Sequence, residues 1–217
     1  MENIRYAIMD MDGTLVDSMK QWMGVVEEAL SLLPSDADIP PEAMEKIPTM
    51  GISRAREYLE SLHIDADYAF GEEKIREIMG AHYENDVTVR PGARELLESL
   101  KKQGVRMVIA TLTPRPLVDI CLERFGLAEY FEAYYTPEEY PEGKRETRIF
   151  FDIMKHFGVS SPEDVWLFED SLYSVKTAKA LGMHIVVTDE ETQKHNKEKL
   201  IALADAYYTD GFTTRIK

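Results

Sequence analysis

The sequence predicts an α/β protein: a doubly wound parallel sheet with a small all-helical domain inserted after its first strand. Three observations predict it. From about residue 89 onward, short wholly apolar runs alternate with amphipathic stretches, the pattern of a parallel sheet covered on both faces. A further apolar run of the same kind, Tyr6-Ala7-Ile8-Met9, stands alone near the N-terminus. Between the two, residues from about 17 to 88 carry only helical periodicity. The domains expected are therefore a discontinuous α/β core, 1–16 with 89–217, and a helical insertion, 17–88.

Each element has its own signal. Tyr6 to Met9 is too short for a helix and reads as a buried strand running into Asp10-Met11-Asp12-Gly13-Thr14. From Ser18 to Leu33, Met19, Trp22, Met23, Val26, Ala29, Leu30 and Leu33 recur at helical spacing, and Pro34 stops the run. A proline-rich connection over 34–50 holds a short helix around Glu42 to Lys46, and helices follow near 53–62 and 71–85. After Arg90-Pro91-Gly92, a helix over about 92–102 ends at Gly104 and a strand covers Val105 to Ala110. Thr113-Pro114 reads as an N-cap with proline at the first helical position, and Gly126 closes that helix. Ala133 to Thr136 forms a short strand, and a helix over 146–157 ends at Gly158. Strands at Val165 to Phe168 and His184 to Val187 flank a helix over 172–181 that ends at Gly182. A helix near 192–203 and a last short strand at Ala206 to Tyr208 complete the pattern.

Composition narrows the function. Forty acidic residues against 25 basic give a formal net charge of −15, which repels nucleic-acid backbones and anionic membranes, so neither is an expected partner. No apolar run approaches the length of a bilayer span. The opening Met1-Glu2-Asn3-Ile4-Arg5-Tyr6 lacks a basic segment followed by a long apolar one, so no secretory signal is expected. The one cysteine, Cys121, reads as a small buried hydrophobe, and the expected location is cytoplasmic.

Ligands of open α/β sheets bind beyond the carboxyl ends of the strands. There the chain places Asp10, Asp12, Thr111 and Glu169-Asp170, with Lys144 close behind another strand. Asp10 and Asp12, two apart, point to one side of an extended segment, and Gly13 permits a tight turn. So many carboxylates together repel and raise each other's pKa, and a divalent cation resolves the conflict. Magnesium suits the set; calcium stays an alternative, though the twelve-residue loop of its helix-loop-helix sites is missing, and one Cys with five scattered His residues argues against zinc. An aspartate beside a metal can attack phosphorus, a second can move the proton, and a lysine with a hydroxyl can hold the transferring oxygens.

Asp10-Met11-Asp12-Gly13-Thr14-Leu15-Val16-Asp17-Ser18 resembles the first motif of the haloacid dehalogenase-like superfamily, in its phosphoglycolate phosphatase and beta-phosphoglucomutase-like group. Thr111, Lys144 and Phe168-Glu169-Asp170-Ser171 follow in that family's order. The resemblance implies a Rossmann-like core with a helical cap and a phosphatase acting on a small phosphomonoester. It implies that Asp10 is nucleophile and magnesium ligand, and that Asp12 is general acid/base and gives a backbone carbonyl to the metal. Thr111, Leu112 and Lys144 would bind the phosphoryl group, with Glu169 and Asp170 at the metal. Gly51-Ile52-Ser53-Arg54 resembles the loop through which caps of this group reach the site, making Arg54 a candidate specificity residue, against a reading in which Ser53 caps a helix and Arg54 and Arg56 are solvated on it.

The chain departs from the family pattern at Arg145-Glu146-Thr147-Arg148, where prolines are common, at Ser174, where Gly is frequent, and at Leu112, where Asn is frequent. A phosphosugar mutase shares every core residue. The mutases carry a histidine early in the first cap helix, where this chain has Met19-Lys20-Gln21-Trp22-Met23, which favours a phosphatase. A receiver-like signalling module lacks the second aspartate and the insertion.

Overall fold

The computed structural model describes residues 4–217 apart from 36, 38 and 51, and apart from the side chains of 45 and 49. In chain order the elements are β1 (Tyr6–Met9), β2 (Val16–Asp17), α1 (Met19–Ser31), α2 (Pro41–Lys46), α3 (Ile52–Ser61), α4 (Asp67–Phe70) and α5 (Glu72–Asn85). They continue with β3 (Thr88–Val89), α6 (Ala93–Lys102), β4 (Arg106–Ala110), α7 (Arg115–Phe125), β5 (Tyr134–Tyr135) and α8 (Arg148–Phe157). The last are β6 (Val165–Glu169), α9 (Leu172–Leu181), β7 (His184–Thr188), α10 (Lys197–Leu203), β8 (Ala206–Thr209) and β9 (Thr214–Arg215). The chain divides into two compact units, residues 1–17 with 88–217, and residues 18–87.

The larger unit carries a seven-stranded sheet in the order β5-β4-β1-β6-β7-β8-β9, parallel except for the β8–β9 pair. β1 pairs with β4 on one side and β6 on the other, so the strand order reverses at β1. That reversal opens the crevice in which such sheets bind ligands. The strands are apolar on both faces. Ile8, Val108, Leu167 and Ile185 join a core with Ile149, Phe150 and Ile153 of α8 and Val175 of α9. The alternate residues Ala7, Met107, Phe168 and Val186 are equally buried, as a sheet covered on its second face requires.

In the smaller unit α1, α3 and α5 are amphipathic, burying Val25, Val26 and Ala29, then Ala55 and Leu59, then Ile75, Met79 and Tyr83. Two polar links join α1 to α5: Trp22 Nε1 donates to Tyr83 Oη at 3.0 Å, and His82 Nε2 lies 2.7 Å from Glu28 Oε1. Met23, expected on the apolar face of α1, is instead exposed, and Val25 takes the inward position.

Three local expectations change. Thr113 does not cap α7: Pro114 is the N-cap residue and Thr113 turns its hydroxyl elsewhere. The helix expected from 146 starts at Arg148, preceded by a 3-10 turn at Gly143–Arg145. The one expected over 192–203 is a 3-10 stretch, Glu191–Asn196, followed by α10.

Candidate active site

The carboxyl ends of β1 and β6 lie side by side, because Asp10 N donates to Phe168 O at 3.0 Å. Asp10 therefore emerges next to Glu169 and Asp170, 159 and 160 residues further along the chain. After Asp10 the chain reverses at once. Gly13 has φ +81°, a left-handed conformation open to glycine, and Leu15 N and Val16 N both donate to Met11 O. This turn brings Thr14 back beneath the site, fully buried, with Oγ1 3.2 Å from Asp10 Oδ2 and 3.3 Å from Asp170 Oδ1.

Lys144 supplies the positive charge. It sits in the 3-10 turn at Gly143–Arg145 and is 2% exposed. Its Nζ donates to Asp10 Oδ1 at 2.5 Å and to the Ala110 carbonyl at the end of β4. It also lies 2.9 Å from Glu169 Oε2, an ion-pair contact without the angle of a hydrogen bond. The other Glu169 oxygen, Oε1, accepts from Asp170 N at 3.1 Å and Ser171 N at 3.0 Å, where α9 begins. Gly143 allows the turn: its φ is +52°, and a Cβ there would stand 2.7 Å from Leu112 Cδ2. Leu112 is thereby packed against the lysine's turn.

Three carboxylates share one ammonium group, a formal excess of two negative charges in a buried site. Burial first, and the Glu169 carboxylate next, push the Asp10 pKa from 3.8 up to about 7, against the pull of Lys144. Burial first, then Glu169 and Asp10, raise Asp170 well above its ordinary value. Burial alone would depress Lys144, but Asp10 and Glu169 outweigh it and its pKa rises. Oxygens of Asp10, Glu169 and Asp170 all lie within 4.8 Å of one another, which fits a small hard cation bound through carboxylates. A single Mg2+ would cancel the excess charge.

Most of the residues singled out in the sequence come together here: Asp10, Glu169, Asp170 and Lys144 in direct contact, with Thr111, Leu112 and Asp12 on the adjoining loops. The Asp12 carboxylate stands apart from the three-carboxylate group; its Oδ2 accepts from Thr113 Oγ1 at 2.5 Å. The buried Thr111 hydroxyl accepts from Thr113 N at 3.0 Å, which leaves its proton available to a ligand. Thr113 and the bridging position of Thr14 escaped the sequence reading. The spacing Thr111-x-Thr113 after a strand was the signal for the first, and the four-residue return from Asp10 for the second.

Arg54 lies in the smaller unit, exposed on α3, and Gly51 lies outside the described residues. Ser53 is inside α3 rather than at its start. Arg56 is not simply solvated: it pairs with Glu60 at 2.8 Å and Asp67 at 2.5 Å.

The chain belongs to the haloacid dehalogenase-like hydrolase family, whose profile matches residues 4–182. A phosphoglycolate phosphatase of Pseudomonas fluorescens is 31% identical over 192 residues, spanning 84% of this chain and 68% of the relative. A phosphorylated carbohydrates phosphatase of Thermotoga maritima is 33% identical over 93 residues, 43% of either chain. Among solved structures, CbbY from Rhodobacter sphaeroides in complex with phosphate shares the fold with a TM-score of 0.75 at 24% identity, over 96% of this chain and 95% of that one. Among the described residues no helix is long and apolar enough to cross a membrane.

Proposed function

We propose that this chain is a magnesium-dependent phosphatase that hydrolyses a small phosphomonoester through an aspartyl-phosphate on Asp10. One observation carries the reading: Asp10, Lys144, Glu169 and Asp170 converge from three separate stretches of chain into one buried, charge-unbalanced group. Phosphatase relatives at about 30% identity support it. Residues 1–16 and 89–217 act as the catalytic core and 17–88 as a substrate-selecting cap, in which Arg54 is the candidate contact.

Asp10, Glu169 and Asp170 would hold the magnesium ion, whose chemistry is to neutralise phosphate charge and favour attack by an anionic nucleophile. The chain's own groups account for the rest. Lys144 on Asp10 Oδ1 and Thr14 near Oδ2 fix the nucleophile's carboxylate in one orientation, which lowers the entropic cost of attack. A carboxylate oxygen of Asp10 forms a bond to phosphorus while the ester P–O bond breaks. Asp12, oriented by Thr113, gives the departing alkoxide its proton. Water then attacks phosphorus, Asp12 takes up a proton from it, and the Asp10–phosphorus bond breaks to release phosphate. Lys144 and the free proton of Thr111 hold the equatorial oxygens through both steps.

The test is phosphate release from a panel of phosphomonoesters, with magnesium and with chelator, by the native protein and Asp10→Asn. Release that needs both Asp10 and magnesium is expected. Isomerisation of a sugar phosphate without release identifies a mutase instead, and a lasting phosphoprotein identifies a signalling module.

A further inference from the structure

Outside the acid cluster, one ion pair among the described residues is enclosed on both sides. The Arg90 side chain is 10% exposed and that of Glu190 8%, and Arg90 Nη1 donates to Glu190 Oε2 at 2.9 Å. Arg90 Nη2 donates to the Asp189 carbonyl at 2.5 Å, and Nε is buried without a partner. Burial strips both charges of water, and the attraction between them offsets that cost only in part. Such a pair adds little stability over apolar side chains of the same shape; what it fixes is where two segments of chain stand.

Both segments belong to the site. The main chain of Arg90, directly after β3, donates its N–H to Leu15 O at 2.9 Å, one residue beyond Thr14. Phe212 N donates to Pro91 O at 2.8 Å and pins the chain beside it. The guanidinium reaches the loop after β7, the parallel neighbour of β6, at the end of the sheet that carries Asp170. In that loop Glu190 Oε1 accepts from Thr192 N at 3.3 Å, and Gln193 N donates to Glu190 O at 2.9 Å. Gln193 Oε1 then accepts from Leu172 N at 3.5 Å, at the start of α9 and two residues after Asp170. Thr14 Oγ1 spans Asp10 and Asp170 from within the site, at 3.2 and 3.3 Å; Arg90 spans the same two stretches of chain from outside it.

We infer that Arg90 is a positioning residue for the metal site: it holds the Thr14 turn and the loop after β7 at one separation, and so keeps Asp10 and Asp170 near enough to share a magnesium ion. The inference deepens the reading above and rests on its magnesium site. Asp10, Glu169 and Asp170 repel one another until the ion arrives. Lys144 pairs with Asp10 and Glu169 but not with Asp170, and Thr14 offers only two bonds longer than 3 Å against that repulsion. The place of Asp170 therefore depends on where α9 begins, and the chain of bonds from Arg90 through Glu190 and Gln193 ends there.

The experiment titrates magnesium into the native protein, Arg90→Lys and Arg90→Gln, and follows thermal unfolding with phosphate release beside it. For Arg90→Gln the magnesium concentration that gives half of the full Tm shift should rise about tenfold, the loss of a charge-assisted bond. Phosphate release should need the same increase and reach the native kcat at saturating magnesium. Arg90→Lys keeps the charge but not the two-pronged grip, and should restore part of the affinity. A lower Tm in chelator with unchanged magnesium half-saturation makes the pair merely structural and overturns the inference. Should Arg90→Gln fail to fold, Gln193→Met decides, since it removes the acceptor for Leu172 N and leaves the ion pair in place. A rise of roughly two- to fivefold in its half-saturation supports the inference, and the native value overturns it. A native protein that magnesium stabilises but that releases no phosphate loses the phosphatase reading alone, because positioning is still read from unfolding. One that magnesium does not stabilise loses the metal site and the inference together.

Discussion

Asp10→Asn should abolish phosphate release and, in metal-free buffer, make the protein more stable. The amide has nearly the carboxylate's shape and keeps an oxygen for Lys144 Nζ to donate to, so packing is conserved. What changes is charge. Asp10 titrates at about 7 in the folded protein and at 3.8 when unperturbed. Above pH 7 both states are ionised, and the folded one bears a penalty of about 4 kcal/mol from that difference. Between 3.8 and 7 the native protein holds a proton that the unfolded chain has released, so native stability falls as pH rises through this window. Below 3.8 the penalty vanishes, and the variant lacks this slope throughout. Allowing for relaxation around the new amide, the gain at pH 8 is about 2–4 kcal/mol, or roughly 5–15 °C in Tm. The assay is thermal unfolding with chelator from pH 5 to 8, repeated with magnesium, which should stabilise the native protein more than the variant. A variant that melts at or below the native temperature in chelator at pH 8 refutes the charge-repulsion argument. One that still releases phosphate removes Asp10 from its role.

Thr113→Val keeps the shape but leaves Asp12 without its 2.5 Å donor; kcat should fall about tenfold with KM little changed, read by steady-state kinetics. Gly143→Ala forces a Cβ to within 2.7 Å of Leu112 Cδ2 at φ +52°, and should cost about 1–3 kcal/mol in denaturant unfolding while lowering kcat through Lys144. At His82, partial burial alone would lower the pKa, but hydrogen bonds to Asp86 at 2.6 Å and Glu28 at 2.7 Å raise it above 6.5. Its stabilisation, roughly 1 kcal/mol, is therefore complete below pH 6.5 and lost as pH rises through the folded value. An NMR titration placing His82 at or under 6.5, or His82→Gln with the native pH dependence of unfolding, contradicts this.

Much of the fold was legible because buried parallel strands are apolar on both faces, so β1, β4, β6 and β7 stand out as unbroken runs. Three of the four two-residue strands, β2, β3 and β9, were not, since a pair of residues carries no period; β5 was caught only within the longer run Ala133 to Thr136. Thr113-Pro114 misled because a hydroxyl before a proline has the same local sequence whether it caps a helix or holds Asp12; a partner 101 residues away decided it. The acidic positions were readable as polar residues directly after apolar strands. Lys144 was less plainly marked, standing behind a short strand rather than directly after an apolar run, and its particular role came only through resemblance to a family. That it faces both Asp10 and Glu169 depends on a convergence no local pattern encodes. Arg54 stayed a candidate for the same reason.

The position of β1 has a consequence for biosynthesis. The strand bearing Asp10 precedes both of its sheet neighbours, yet it ends between them, paired on either side with segments about 100 and 160 residues downstream. On the ribosome it must wait with both hydrogen-bonding edges open until β4 and then β6 have been translated. Only then can the aspartate, the lysine and the two later carboxylates meet, so a nascent or truncated chain ending before β6 carries the nucleophile without its site. The interval is one in which a chaperone would find this short apolar segment uncovered.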